Sequence, residues 1–337
     1  MIEKLFIIAS SALVGLLILY PIYQLLRRGF IHSFREWGPK HHLQKDAVPT
    51  AGGLLFIIML AIGIIIGICV MPDLSELSIS SLYEALVIFC ATAAFGLLGF
   101  VDDYMKVVRK SSLGFPARYK FALQILFALA TLYFTYRIQP EVYVFTSPTP
   151  VIIPAWVYFP LGTILLVGLV NAFNFTDGLD GLAAGTAFFS LAGYSVLFIA
   201  ISHDSESSFD RMLAFISLVV AGAVLAFLIP NFKPALVYMG DTGSYFLGAF
   251  LAITAIAGGF ICYLIPLSIV YGAELLSVML QVSYFRLTKG KRLFKMSPLH
   301  HHLELSGMSE VGVVFIFWAM QLVVSTACAA VFILNQR

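Results

Sequence analysis

An all-α polytopic membrane protein with ten transmembrane helices is the fold class this sequence predicts, and three observations carry it. Apolar residues fill 60% of the 337 positions and charged residues only 11%, against roughly 25% charged in a soluble domain. The charges gather in short clusters between apolar runs long enough to cross a bilayer. The basic residues, finally, concentrate in alternate connections, which is the signature of oriented insertion.

A span needs about 20 apolar residues, and ten stretches qualify: 3–26, 51–71, 84–101, 119–138, 155–172, 182–202, 210–229, 242–259, 261–283 and 311–334. The first runs apolar from Leu5 to Leu26 with no A-x-A cleavage site. It is therefore expected to be retained rather than removed as a signal peptide. Of the 20 basic residues, all but Lys4, Arg137, Arg211 and Arg337 fall on one side of this topology. That side is cytoplasmic by the positive-inside rule, and ten spans then put both termini outside. Residues 1–337 read as one integral membrane domain, with no internal repeat.

Smaller features follow from local chemistry. Val142-Tyr-Val-Phe and Val151-Ile-Ile flank Ser147-Pro-Thr-Pro, which predicts a small external β-hairpin near 142–153. Pro266 predicts a kink in the ninth span. Gly63 and Gly67 form a G-x-x-x-G that serves close helix packing, within the chain or across a homodimer. Cys69, Cys90, Cys262 and Cys328 stand singly in apolar runs and read as small hydrophobes, not as a zinc or disulfide framework.

The chemistry lies in four polar clusters, all assigned to the cytoplasmic side. Asp102 and Asp103 close the third span. Adjacent helical residues point about 100° apart, so the two carboxylates cannot serve one point identically. Asn171, Asn174, Asp177 and Asp180 are spaced three apart in Asn171-Ala-Phe-Asn-Phe-Thr-Asp-Gly-Leu-Asp-Gly181. Gly178 and Gly181 suggest a broken loop there, with polar groups converging on a ligand. Alternatively Asp177 caps the helix that begins near Leu182. Asp241 sits between glycines at the start of the eighth span, placed to meet a phosphate–metal group or simply to cap that helix. His300, His301 and His302 are adjacent, so their rings diverge. With the basic run Arg286 to Lys295 they suit phosphate or sugar contacts better than a shared metal.

No P-loop, G-x-G-x-x-G or G-x-S-x-G motif occurs, which disfavours P-loop ATP hydrolysis, Rossmann redox chemistry and α/β-hydrolase chemistry. Carboxylates, lysines and histidines at one membrane face fit Mg²⁺-dependent handling of a diphosphate, with one substrate from water and one from lipid. Nucleic acid is not an expected partner.

Phe100-Val-Asp-Asp-Tyr104, the Asn171 to Gly185 stretch, Asn231 through Met239-Gly-Asp-Thr-Gly-Ser244, and Ser297-Pro-Leu-His-His-His-Leu-Glu304 together resemble the polyprenyl-phosphate N-acetylhexosamine-1-phosphate transferases. The resemblance covers essentially the whole chain. The adjacent histidines are similar to the branch that uses a MurNAc-pentapeptide donor. Relatives that transfer N-acetylglucosamine phosphate space their histidines differently.

The resemblance implies transfer of phospho-MurNAc-pentapeptide from UDP-MurNAc-pentapeptide to undecaprenyl phosphate, giving lipid I and UMP. That is a Mg²⁺-dependent step of peptidoglycan synthesis at the cytoplasmic face of the bacterial inner membrane. By the same resemblance Asp102, Asp103, Asp241 and His300 are catalytic, and the metal falls first on Asp241, with Asp177. Lys45, Thr50, Lys106, Lys110, Lys120, Asn171, Asn174, Asp177, Asp180, Asn231, Tyr238, Gln281, His301 and His302 would bind substrate. Two departures stand out: Ala47-Val-Pro-Thr50 replaces the usual G-T-P-T, and Tyr238 replaces a Phe. Direct attack by the lipid phosphate is the favoured mechanism, with Asp102 as proton acceptor or lipid-phosphate positioner. The alternatives are a UDP-GlcNAc-dependent relative and, from another class, a secondary transporter. A transporter would carry its coupling carboxylates at the bilayer midplane, where only Glu274 lies clearly inside a span.

Overall fold

The computed structural model describes residues 2–32, 48–70, 79–110, 114–138, 140–143, 150–204 and 208–335. Among these, every one of the ten apolar stretches is helical. They form α1 (Ile2–Gly29), α2 (Leu54–Val70), α3 (Ile79–Arg109), α4 (Ala117–Ile138), α5 (Ala155–Thr176), α6 (Leu182–Asp204), α7 (Ser208–Asn231), α8 (Gly240–Ala257), the consecutive pair α9 (Ile261–Leu267) and α10 (Ile269–Leu287), and α12 (Glu310–Asn335). A short α11 (Leu299–Leu305) carries the histidines. Among the described residues seven helices are long and apolar enough to cross a membrane, and the α9–α10 pair adds an eighth when counted as one bent span. The chain is thus a polytopic α-helical membrane protein. The remaining two stretches are α2, apolar but only 17 residues long, and α8, of 18 residues.

The bundle is built around α8, which is buried from Asp241 to Ala257. It packs most heavily on α3 and α5, while α7 gathers α1, α2 and α6 on the other side. Such an interior helix can be apolar all round because no face of it needs to be polar. Close approach is achieved with glycine. A Cβ at Gly99 of α3 would collide with the backbone carbonyl of Asp241, and one at Gly53 would collide with Gly243. Gly63 and Gly67 serve the same end on α2: a Cβ there would lie 3.0 Å from Val219 Cγ1 and 2.8 Å from Met212 Sδ. The G-x-x-x-G face is therefore spent on α7 of the same chain.

Pro266 breaks the ninth stretch as its chemistry requires, because proline removes a helical donor and crowds the preceding turn. The chain leaves helical geometry at Ser268, and α9 and α10 meet at 76°. The hairpin is present as two short antiparallel strands, β3 (Glu141–Val142) and β4 (Val151–Ile152). It is pinned to the end of α8 by the Tyr143 N–H, which donates to the Gly259 carbonyl at 2.8 Å. A second ribbon, β1 (Ile31–His32) with β2 (Val48–Pro49), had no sequence signal, since two residues are too few to show a period.

Gly99→Ala should push α3 off α8 and lower stability by on the order of 1–3 kcal/mol. Gly29→Ala, whose Cβ meets nothing within 4 Å, should leave the melting temperature unchanged, and thermal unfolding in detergent checks both.

Candidate active site

The site begins where α3 crosses the first turn of α8. The first amides of a helix have no partner inside it, and here a neighbouring helix supplies one. Asp103 of α3 accepts from the N–H groups of Asp241 (3.1 Å) and Thr242 (2.9 Å) and from Thr242 Oγ1 (2.7 Å). Its carboxylate is the N-terminal cap of α8, delivered from another helix and favoured further by the helix dipole. Gly240 is required just before. Its φ of 70° suits glycine, and any Cβ would strike Asp103 and Thr50.

Asp102 faces elsewhere, as adjacent helical positions must. It is fully buried beneath Gly114, whose Cβ would strike it. It accepts from the Phe115 N–H at 2.7 Å and pairs with Lys106 Nζ (2.6 Å) and Lys120 Nζ (3.0 Å). The same two ammonium groups reach Asp241 Oδ2, at 3.1 and 3.7 Å. Asn174 completes the group, donating to Asp241 Oδ1 (2.9 Å) and Ser244 Oγ (3.0 Å). Two carboxylates thus share two lysines, a neutral arrangement that makes burial of all four charges tolerable.

Beside this cluster lies a polar cavity of about 290 Å³. Eight of the residues singled out in the sequence line it: Thr50, Asp103, Lys106, Asn174, Asp177, Tyr238, Asp241 and His301, together with Gly178 and Gly240. These come from α3, α5, α8, α11 and the connections before α2, α6 and α8, so only the tertiary fold assembles them.

Other sequence-selected residues lie outside that wall. α5 runs unbroken to Thr176, so Asn171 and Asn174 are helical and diverge, and the expected broken loop shrinks to residues 177–181. Asn171 turns to α4, donating to Gln124 Oε1 at 2.8 Å. Asp177 ends α5, its N–H donating to the Phe173 carbonyl; it does not begin α6. Asp180 accepts from the Ala235 N–H (3.1 Å), and Asn231 accepts from the Gly181 N–H (3.1 Å). Both tie the 177–181 connection to the one before α8. Gln281 clamps the basic connection after α10 through the backbone of Leu293 and Phe294. Lys110 is exposed at the end of α3, and Lys45 lies outside the described residues.

The three histidines have three environments, as diverging neighbours should. His301 meets the cavity and pairs with Glu304 at 2.8 Å. His302 accepts from the Lys295 N–H at 3.1 Å. His300 is buried, packed under Gly178, with its Nδ1 3.3 Å from Glu274 Oε2 and its backbone N–H donating to Glu274 Oε1 at 3.2 Å. Glu274 was the acid inside a span whose cost alone marks it. Glu310, Lys233 and Trp318, which brace residues 180–181 from behind, carried no signal, because they read as an ordinary span end, loop lysine and interfacial aromatic.

Among the described residues no three His, Cys, Asp or Glu side chains gather as metal ligands. Asp241 and Asp177 nonetheless share the cavity, and Asp241 Oδ2 already attracts two cationic groups. That donor set suits a hard cation that takes one or two carboxylates and completes its shell with water and phosphate oxygens.

Fold and site together define a multi-pass membrane protein with a charged, phosphate-suited cavity built at the end of its central helix. Residues 85–259, from α3 past the end of α8, match the glycosyl transferase family 4 model. The chain is 40% identical over 327 residues to the phospho-N-acetylmuramoyl-pentapeptide-transferase of Heliobacterium modesticaldum, covering 94% of each chain. It is 39% identical to that of Staphylococcus carnosus over 95% of this chain and 96% of the relative. With that of Bacillus subtilis it shares 40% identity over 95% of each. The chain belongs to the phospho-N-acetylmuramoyl-pentapeptide-transferase family, within glycosyl transferase family 4.

Asp103→Ala strands two backbone donors and a hydroxyl, and should lower stability by about 1–2 kcal/mol. Asp103→Asn keeps one acceptor and should recover part of the loss, read as thermal unfolding in detergent.

Proposed function

We propose that this protein transfers phospho-MurNAc-pentapeptide from UDP-MurNAc-pentapeptide to undecaprenyl phosphate, releasing UMP, at the cytoplasmic face of the bacterial inner membrane. The observation that carries it is the Asp241–Lys106–Lys120–Asp102 cluster opening on a polar cavity that Asp177 and His301 also line. The names of the relatives favour the MurNAc-pentapeptide donor over UDP-GlcNAc. α2, α8, the bent α9–α10 pair and the seven long helices together supply ten crossings, with both termini outside. Lys106, Lys120, Lys233 and the 286–295 run then fall in the cytoplasm with the cavity.

Asp241 and Asp177 would hold Mg²⁺, which would supply positive charge against the diphosphate. Lys106 and Lys120 meet the charge that builds on the departing UMP phosphate, and Asn174 keeps Asp241 oriented. An oxygen of the lipid phosphate bonds to the sugar-bearing phosphorus while that phosphorus releases the UMP oxygen. A phosphate monoester has a second pKa of about 6, so it arrives as a nucleophile and needs no base. Asp102, turned to the two lysines and not to the cavity, serves by holding them in place.

The lipid has a fitting path. An apolar groove of about 680 Å³ runs between α4, α5, α9 and α10, walled by Phe121, Ile125, Leu169, Phe175, Ile265 and Leu275. Asn171 lies on its wall, one turn along α5 from Asn174. A prenyl chain in the groove would bring its phosphate toward the cavity along one helix.

Asp241→Asn should cut UMP release about a hundredfold or more while the protein stays folded, with a lower melting temperature because Lys106 and Lys120 lose one of their two carboxylates; near-normal turnover would overturn the metal assignment. Chelation with EDTA should abolish release and added Mg²⁺ restore it. UMP release from UDP-MurNAc-pentapeptide but not from UDP-GlcNAc, and only with undecaprenyl phosphate present, decides the donor. Uptake without turnover would instead favour a transporter, and a phosphorylated enzyme trapped without lipid would refute direct attack.

A further inference from the structure

The two acids assigned to the cation stand on separate connections, Asp177 between α5 and α6 and Asp241 at the start of α8. Behind the cavity, one carboxylate joins those connections. Glu310 opens α12, and its Oε2 pairs with Lys233 Nζ at 2.6 Å, in the connection that leads to Asp241. Its Oε1 accepts from the Asp180 N–H at 3.4 Å, a long bond, three residues beyond Asp177. Neither Glu310 nor Lys233 lines the cavity. The Glu310 side chain is 5% exposed and that of Lys233 40%.

Neighbouring bonds converge on the same junction. Asp180 Oδ2 accepts from the Ala235 N–H, Asn231 accepts from Gly181 N–H and donates to the Val237 carbonyl at 2.9 Å, and Trp318 Nε1 of α12 donates to the Gly181 carbonyl at 3.2 Å. Every one of these fixes backbone of one cavity-bearing connection to another element. Asn231, at the end of α7, bridges the same two connections with its amide, and Glu310 does so with its carboxylate, one oxygen toward each. Burying a carboxylate costs free energy unless it is paired, and beyond the favourable place of Glu310 in the first turn of α12, the pairing here is with the two connections.

We propose that Glu310 is a positioning residue that sets the distance between Asp177 and Asp241, so that both can serve one divalent cation. The inference rests on the Mg²⁺-dependent reading above. Glu310 touches neither cation nor substrate. Groups that orient a metal-binding carboxylate from outside alter metal affinity by about tenfold to a hundredfold, and that is the effect expected here.

The test uses the full chain in detergent micelles, as wild type, Glu310→Ala and Glu310→Gln. Two quantities are read: Mn²⁺ binding without substrate, by electron paramagnetic resonance, and the Mg²⁺ concentration for half-maximal UMP release. Glu310→Ala should weaken Mn²⁺ binding and raise the Mg²⁺ requirement about tenfold or more. Glu310→Gln, which keeps an oxygen for the Asp180 amide, should fall between. Wild-type cation affinity in Glu310→Ala overturns the proposal, even if its melting temperature drops, since the residue would then be structural only. If Glu310→Ala does not fold, Glu310→Gln decides: Mn²⁺ binding several-fold weaker supports the proposal and unchanged binding overturns it. A wild type that binds Mn²⁺ without turnover refutes the functional reading, while the Mn²⁺ comparison still judges Glu310.

Discussion

The contact on which the rest depends is the cap that Asp103 places on α8. The first amides of a buried helix must find acceptors or cost free energy. α8 begins inside the protein, with Thr242 fully buried, so these amides need acceptors from the chain itself. Asp103 takes the Asp241 and Thr242 amides together with the Thr242 hydroxyl, and Gly99 lets α3 come close enough to deliver it. One bond set therefore ends a helix, locks two helices and sets the position of Asp241.

From that lock the electrostatics follow. With Asp103 turned to the α8 backbone, the helical step turns Asp102 about 100° around α3, where Lys106 one turn on and Lys120 from α4 close over it. The lysines are long enough to reach Asp241 as well. A carboxylate facing the cavity thus sits under two cations that a second, hidden carboxylate keeps in place. The site can meet anionic oxygens with positive charge while Lys106 and Lys120 stay balanced by Asp102 and Asp241.

The far wall is organised by different means. Its residues come from short connections, and each is braced by a neighbour: Gly178 rests on His300, His300 on Glu274, and Asp180 on Ala235 and Glu310. Glycine at 178 is a steric requirement, since any side chain would occupy the His300 ring. The near wall is rigid because helices cross there, and the far wall because side chains from α10 and α12 stand behind it.

Much was legible in the sequence alone. The ten apolar stretches, the kink at Pro266, the hairpin and the divergence of Asp102 from Asp103 follow from length, proline chemistry, β-branching and the helical step, all of them local properties. The polar clusters also named most of the cavity wall, because charge beside lipid is costly and kept for use. What only the tertiary structure decided is which member of each cluster faces the cavity. His301 does and His300 does not, and Asn174 does while Asn171 turns to Gln124. Sequence spacing states how far apart two side chains point, but not where the partner helix lies. Glu310 and Lys233, 77 residues apart, become one bridge only when α12 packs behind residues 177–181, a relation that no local pattern records.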